Sequence, residues 1–538
     1  MDGVGDENAS RRFDQRSTLR YGGLIGAASA AVAVGIGELA AGLLRTDGPV
    51  IVVADATVDL SPRPAKELAI SLFGTYDKLV LLLGIFVVLV AAAVGVGQLA
   101  LKRRGLAVIL VLALGAVGVT AAFLRRADEP RAALPIVLAV LVGALVLRAL
   151  ASTAEQLTAS TGETDSDQRA PRERTPVGQR GPDRPARRRL LRGAVGAFVV
   201  AMVGGGIGRF LTGGVGADES RAVVRIPPAT NPLPPLPRGS DLRIPGLSPF
   251  LTPNREFYRI DTALVVPRID TEDWRLRVHG LVDRPIELSY ADLLKRPLVE
   301  ADITLTCVSN PVGGDLVGNS RWLGVRLGDL LREAGVRSDA DQLLSTSTDG
   351  WTCGTPSETV LDDRDALLAI AMDNEALPPE HGFPVRMVVP GLYGYVSATK
   401  WVADIELTRF ADKQAYWLER GWAERGPIKT MSRIDLPLRR TLPAGRHTVA
   451  GVAWAQHRGI EAVELQVDDR DWEQAKLAEV PGIDTWRQWH LAVPLDAGSH
   501  TLRVRATDRT GYTQTPQLAE PVPNGASGWH TVRIRVEE

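Results

Sequence analysis

Five long apolar stretches dominate the first part of the chain, near residues 22–44, 78–101, 105–124, 133–151 and 193–213. Each approaches the ~20 residues a helix needs to cross a hydrocarbon core. They are nearly free of charge and flanked by arginines, so they predict membrane spans rather than the buried helices of a soluble domain. Arg11, Arg12, Arg16 and Arg20 precede the first stretch, Lys102, Arg103 and Arg104 divide the second from the third, and an arginine-rich segment precedes the fifth. Lysine and arginine bias assigns those three segments to the cytoplasm, and everything beyond residue 215 to the outer side. Arg125, Arg126 and Arg131 lie outside against that bias, partly offset by Asp128 and Glu129. The 45–77 loop is also outside, and its VIVVADATVDL stretch predicts a small strand.

The pattern then changes three times. Residues 152–186 mix Ser, Thr, Asp, Arg, Pro and Gly, which predicts a disordered cytoplasmic linker running on to residue 192. It ends in Arg187-Arg188-Arg189-Leu190-Leu191-Arg192. That run reads either as a twin-arginine export signal inside the chain or as ordinary positive-inside charge. Residues 216–250 carry Pro227, Pro228, Pro232, Pro234, Pro235, Pro237 and Pro245. They predict an extended, semi-rigid connector that lifts the next domain off the membrane.

Beyond the connector, short strands mix with short helices. Residues 274–278 alternate as a strand that turns at His279-Gly280, Ser289 caps a helix reaching Leu294, and a buried strand ends at Cys307. Trp322 to Leu331 enters another helix. The mixture predicts an α+β domain over 251–425. From 426 to 538 short alternating strands recur with turns every ~8–12 residues, as in 447–454, 462–467, 501–506 and 532–536, the pattern of an immunoglobulin-like β-sandwich. The fold class is therefore multi-domain: an α-helical membrane region over 1–215, an α+β domain and a C-terminal sandwich.

Composition changes this picture little. The net charge of −1 over 538 residues supplies no global field for nucleic acid. All seven histidines (279, 381, 447, 457, 490, 500 and 530) lie beyond the spans, which excludes a membrane haem held by two imidazoles. No Cys-x-x-Cys-His stands ready for a covalently attached haem, and two cysteines cannot make a disulfide scaffold. Glu38 is the notable acid inside a span. The spans read as an anchor or docking surface, with the bilayer as partner, rather than a pump.

The chemistry centres on Ile303-Thr304-Leu305-Thr306-Cys307-Val308-Ser309-Asn310, followed by Pro311-Val312-Gly313-Gly314. A thiol at a strand end, facing a loop of small residues, can bind a soft metal or attack a substrate. It can equally be a plain buried cysteine. Cys353, in Thr348–Gly354, competes for the role, and a Cys307–Cys353 disulfide is a further alternative outside the cytoplasm.

Ordered motifs across this region resemble the molybdopterin-binding domain of the sulfite oxidase family. They are Asn254-Arg255-Glu256-Phe257-Tyr258-Arg259, Thr306-Cys307, Gly318-Asn319-Ser320-Arg321-Trp322, His381-Gly382-Phe383-Pro384-Val385-Arg386 and Thr399-Lys400-Trp401. The resemblance implies a membrane-anchored bacterial enzyme that binds a molybdenum–molybdopterin cofactor; the family's cytochrome b5-like haem domain is missing, so no haem is expected. It makes Cys307 the metal ligand and Arg259 a second catalytic residue that holds an anion beside the metal. Asn254, Arg259, Asp349, His381, Arg386, Ala398, Thr399 and Lys400 would bind the cofactor, the basic side chains gripping its phosphate. Tyr416 to Trp422 is similar to the family's Trp-rich bridge, and the C-terminal sandwich resembles the domain that often pairs subunits into homodimers.

Two positions depart from the animal and plant enzymes. Val312 stands where they carry an arginine five residues after the metal cysteine, and Trp422 aligns with a tyrosine they keep near the metal. The expected activity is oxygen-atom transfer on a small oxo-anion or sulfur compound. Electrons pass to or from a separate carrier, a cytochrome or quinone-linked protein. Reduction of a sulfoxide or another small oxo compound is the alternative on the same cofactor, and a non-enzymatic membrane-anchored binding protein is the alternative without it. Purified protein should contain molybdenum and release a pterin. Elemental analysis and pterin fluorescence read both, and their absence would leave only the binding-protein reading.

Overall fold

The apolar runs of the first part are helices, which satisfy every backbone donor and acceptor within one segment. The computed structural model describes residues 3–44, 46–61, 77–125, 130–166, 184–212 and 220–538. The chain divides into two units, Met1–Val215 and Gly216–Glu538. The first contains the helices Gly3–Leu44, Pro49–Leu60, Asp77–Lys102, Arg104–Arg125, Leu134–Ser166 and Arg184–Thr212. Five helices are long and apolar enough to cross a membrane by length and composition, over Arg20–Leu44, Val80–Lys102, Arg104–Phe123, Arg131–Ala154 and Arg188–Arg209.

The first of these helices packs against three others, Asp77–Lys102, Leu134–Ser166 and Arg184–Thr212. Small residues let the backbones approach. A Cβ on Gly26 would stand 1.9 Å from the Ala93 carbonyl oxygen. Large apolar side chains point outward instead, with Phe86 64%, Val117 68% and Met202 78% exposed, the reverse of a water-soluble bundle.

Two expectations fail in this unit. The VIVVADATVDL stretch is the helix Pro49–Leu60, not a strand. Pro49 opens it at a position that needs no N–H, and Val52 packs with Ala122, Ala133 and Ile136. The linker is shorter than its composition suggests: the helix Leu134–Ser166 continues through its first part and the next helix begins at Arg184. Residues 167–183 of that linker, like Arg126, Asp128 and Glu129, lie outside the described residues.

The second unit opens with a correction. After one helical turn at residues 220–223, the segment to residue 250 lacks regular secondary structure apart from short turns, but it is no free spacer. Arg221 Nε and Nη2 donate to the carbonyls of Leu377 and Ala376, both at 3.0 Å. The Thr230 N–H donates to Leu298 O at 2.8 Å, and Leu233 N–H to Glu300 Oε2 at 2.7 Å. Phe250 is 1% exposed within the main core. The connector is thus part of the folded body.

Four sheets follow. The first orders its strands β2-β1-β10-β5-β6, with β1 (Arg275–Gly280), β2 (Ile286–Ser289), β5 (Gln342–Ser347), β6 (Thr352–Pro356) and β10 (Val402–Thr408). Only β1 and β10 run parallel, with Val278 opposite Ile405. The second orders β3-β4-β7-β8, with β3 (Leu298–Thr306), β4 (Val317–Arg326), β7 (Leu367–Met372) and β8 (Glu375–Ala376), and β9 (Arg386–Val388) also pairs with β7. Short helices join them. Ser289 and Asp292 form a reciprocal capping box at the helix Tyr290–Leu294, and the helix Leu327–Ala334 ends on Gly335.

The last two sheets occupy the C-terminal region. One orders β11 (Met431–Leu436), β13 (Gly445–Trp454), β17 (Arg487–Leu495) and β16 (Lys476–Leu477). The other orders β12 (Thr441–Pro443), β19 (His530–Glu537), β18 (Gly498–Asp508), β14 (Ile460–Val467) and β15 (Glu473–Gln474). Alternate residues from both sheets, among them Val449, Trp489, Val463, Leu502 and Ile534, fill one shared core. Met431, Val452, Trp454 and Trp486 instead join the main core with the first two sheets.

Phe250→Ala should cost about 3–5 kcal/mol if residues 220–250 belong to the fold. Tryptophan fluorescence during denaturation reads this unit alone, because every tryptophan lies beyond residue 215. A free spacer would cost under about 0.5 kcal/mol.

Candidate active site

Strand β3 ends at Thr306 and hands the chain to Cys307. The loop that follows is closed by its own polar groups. The Cys307 N–H donates to Leu316 O at 2.9 Å, Asn310 N–H donates to Cys307 O at 3.1 Å, and Leu316 N–H donates to Asn310 Oδ1 at 3.0 Å. Gly313 takes φ 78°, and a Cβ there would stand 2.3 Å from the His530 ring. The thiol is 8% exposed and opens on a cavity of about 910 Å³, counting its mouth.

The opposite wall comes from three short connections. The turn Pro379–His381 brings His381, the start of β9 brings Arg386, and the segment before β10 brings Ala398 and Lys400. Arg386 is 5% exposed. Its Nη1 donates to His381 O at 3.1 Å and its guanidinium lies 5.0 Å from the Trp322 ring centre. No carboxylate pairs with it among the described residues, and burial lowers its pKa to about 10. Lys400 Nζ donates to Asp261 Oδ2 at 2.7 Å and to Glu380 O at 3.0 Å. Burial outweighs Asp261 and holds the ammonium down at about 8. His381 falls to about 4, through burial first and then the neighbouring Arg386 and Lys400. It is neutral at pH 7, and because its Nε2 meets Asn254 O at 3.1 Å, the proton sits on Nε2.

The expected site residues therefore separate. Cys307, Asp349, His381, Arg386, Ala398 and Lys400 line one cavity. Arg259, Asn254 and Thr399 do not. Arg259 Nε binds Asp261 Oδ2 at 2.9 Å, so it shares a carboxylate with Lys400 and borders the site through it. Asn254 meets His381 with its carbonyl, while its Nδ2 donates to Met372 O at 3.3 Å. Thr399 turns its hydroxyl to Ser345 Oγ at 2.7 Å. Asp349 accepts from Trp351 N–H at 3.2 Å. Cys353 is fully buried off the cavity and both cysteines are free, which removes the disulfide alternative and the rival thiol.

Sequence reasoning missed Tyr258, Asp261, Trp351 and Tyr395, which also line the cavity, whereas Trp417 and Trp422 belong to the Tyr416–Trp422 segment it singled out. Tyr258 stacks on Phe257 at 5.3 Å, and its hydroxyl pKa is driven up by burial and then by Cys307. Asp261 tethers two cations. Trp351, Tyr395, Trp417 and Trp422 make an aromatic wall. Trp351 Nε1 is buried without a hydrogen-bond partner. The signal was the Tyr258–Asp261 stretch itself, adjacent to Arg259, and the clustering of tryptophans in loops.

These features fit a cofactor with an anionic group, ring acceptors and a soft metal. A buried guanidinium lacks a carboxylate, a buried indole N–H lacks an acceptor, and a thiol opens on the same space. Sequence comparison with known proteins agrees. The oxidoreductase molybdopterin binding domain family matches residues 263–417. An uncharacterized oxidoreductase, YuiH, of Bacillus subtilis is 38% identical over 157 residues, covering 29% of this chain and 76% of that one. Human mitochondrial sulfite oxidase is 28% identical over 341 residues, covering 53% of this chain and 62% of the human protein, under two thirds of its length. The solved structure of the sulfane dehydrogenase SoxCD from Paracoccus pantotrophus aligns with TM-score 0.47 at 24% identity, over 54% of this chain and 85% of that one.

Anion affinity should follow the charge on Lys400. Below pH 8 the ammonium is present before and after binding, so affinity is flat. As pH rises through about 8 the free protein loses that proton, and sulfate binding to cofactor-free protein should weaken by up to about tenfold per pH unit. Calorimetric titration checks this, and Lys400→Met should remove the step.

Proposed function

Because the chain belongs to the sulfite oxidase family of molybdopterin-dependent oxidoreductases, we propose that its second unit transfers an oxygen atom to or from a small sulfur compound or oxo-anion, with Cys307 as the protein ligand of molybdenum. One observation carries the reading: the Cys307 thiol shares a cavity with Arg386, Lys400 and His381. The bound cofactor supplies two-electron, oxygen-atom chemistry at its metal. The chain supplies grip and orientation. Arg386 and Lys400 neutralise the cofactor phosphate, and burial strengthens that attraction. His381, whose Nε2–H is committed to Asn254 O, keeps Nδ1 as an acceptor for a pterin donor. Backbone groups of Ala398 and Thr399 and the Asp349 carboxylate complete the edge. Burial raises the Cys307 thiol pKa while hydrogen bonds from Ser309 pull it back, so the thiol holds its proton until a soft cation displaces it.

A second observation favours one substrate class. Val312 is absent from the cavity wall and packs, partly buried, against the main core. Arg259 already holds Asp261. The aromatic rings of Trp351, Tyr395, Trp417 and Trp422 line the same cavity as the thiol. Such walls suit a neutral sulfoxide better than a dianion such as sulfite. Reduction would take two electrons and two protons, leaving a thioether and water. The electrons would come from a separate cytochrome or quinone-linked carrier.

In the same reading the five apolar helices anchor the protein in a cell membrane, with the second unit on the extracytoplasmic side. The support is the lysine and arginine bias around the helices. The paired C-terminal sheets are read as an immunoglobulin-like sandwich through which two copies associate. A non-enzymatic binding protein would leave the Cys307 cavity unexplained. Cys307→Ser should lower turnover by more than roughly a hundredfold and change the paramagnetic resonance signal of the metal. Circular dichroism and the denaturation midpoint should hold. Activity that survives the substitution would end the ligand assignment.

A further inference from the structure

We propose that Gln456 and Arg433, both in the C-terminal region, set the position of the Cys307 thiol by gripping the two flanks of its loop, an inference that rests on the reading of Cys307 as metal ligand. Strand β3 is the edge of its sheet, paired with β4 on one side only. Its other edge would be left with bare backbone groups just where it approaches Cys307. Residues far along the chain cover it. Thr304 N–H donates to Asp484 O at 2.9 Å, and Trp486 N–H donates to Thr304 Oγ1 at 2.7 Å. Gln456, 0% exposed in the turn after β13, makes the nearest bonds to the thiol. Its Nε2 donates to Thr304 O at 2.9 Å and to Thr306 Oγ1 at 3.1 Å.

Arg433, on β11, holds the far flank. Its Nη1 donates to Gly314 O at 2.9 Å, while Nε is steered by Asp435 Oδ1 at 2.6 Å and Nη2 by Ser248 Oγ at 2.8 Å. The His530 ring, at the start of β19, fills the space where a side chain on Gly313 would be. Neither Gln456 nor Arg433 lines the cavity, so both act through the loop and are positioning residues. Packing alone would need no directional bonds. These are aimed at the chain on either side of one thiol, and that thiol would have to meet the metal of a cofactor whose phosphate Arg386 and Lys400 grip from other elements. Such a meeting requires the two walls to be fixed to a fraction of an ångström.

The test uses full-length protein in detergent, prepared without molybdenum. Alkylation of the two thiols by iodoacetamide is followed by peptide mass spectrometry, with Cys353 as internal control. Gln456→Met keeps the volume and removes the donor. In this variant Cys307 should react roughly tenfold faster while Cys353 is unchanged. In molybdenum-loaded protein the same variant should lower kcat with KM held, and shift the paramagnetic resonance signal of the metal. If Gln456→Met does not fold, Thr306→Val removes one acceptor and should give a smaller rise at Cys307 alone. Equal acceleration of both thiols, or of neither, overturns the proposal. The metal's paramagnetic resonance signal in Cys307→Ser is a separate result: a signal unchanged there would end the ligand reading, whatever the alkylation rates.

Discussion

An edge strand cannot be left bare, and the strand that delivers Cys307 is an edge strand. That constraint organises the second unit. The proline-rich segment covers one end of β3, through Thr230 on Leu298 and Leu233 on Glu300. The C-terminal region covers the other, through Asp484, Trp486 and Gln456 on Thr304 and Thr306. Two segments that flank the α+β core in sequence therefore close its most sensitive strand. Phe250 ties them together, since its carbonyl accepts from Asn319 Nδ2 at 2.9 Å and from Trp486 Nε1 at 2.8 Å.

Within the cavity the governing term is the burial of positive charge. Arg386 and Lys400 are both nearly buried, yet only Lys400 has a carboxylate, and it shares Asp261 with Arg259. The folded chain bears the desolvation cost of that arrangement, and an anionic ligand would relieve it. The neutral His381 between them adds a hydrogen-bonding surface without adding repulsion.

Features that depend on short stretches of sequence were legible. The membrane-length runs, the Ser289–Asp292 capping box and the position of Cys307 at a strand end each follow from a few neighbouring residues. The ordered motifs led to His381, Arg386, Ala398 and Lys400 on one wall. Features that depend on what a segment lies against were not legible. Residues 50–60 are β-branched enough to suggest a strand, and packing of Val52 decides for a helix. Prolines announce an extended connector, and nothing in its composition says that Phe250 is core. The motif names Arg259 but does not announce its ion pair with Asp261, two residues away.

His530 packs against Gly313, and Trp486 bonds to Thr304 across 182 positions of sequence. A ribosome makes residue 307 long before residue 530. During synthesis the cysteine loop therefore waits, without its outer wall, until almost the whole chain has emerged. A chain cut short before the strand His530–Glu537 would carry every cavity-lining residue, and Gln456 and Arg433 as well, yet lack the ring that packs on Gly313.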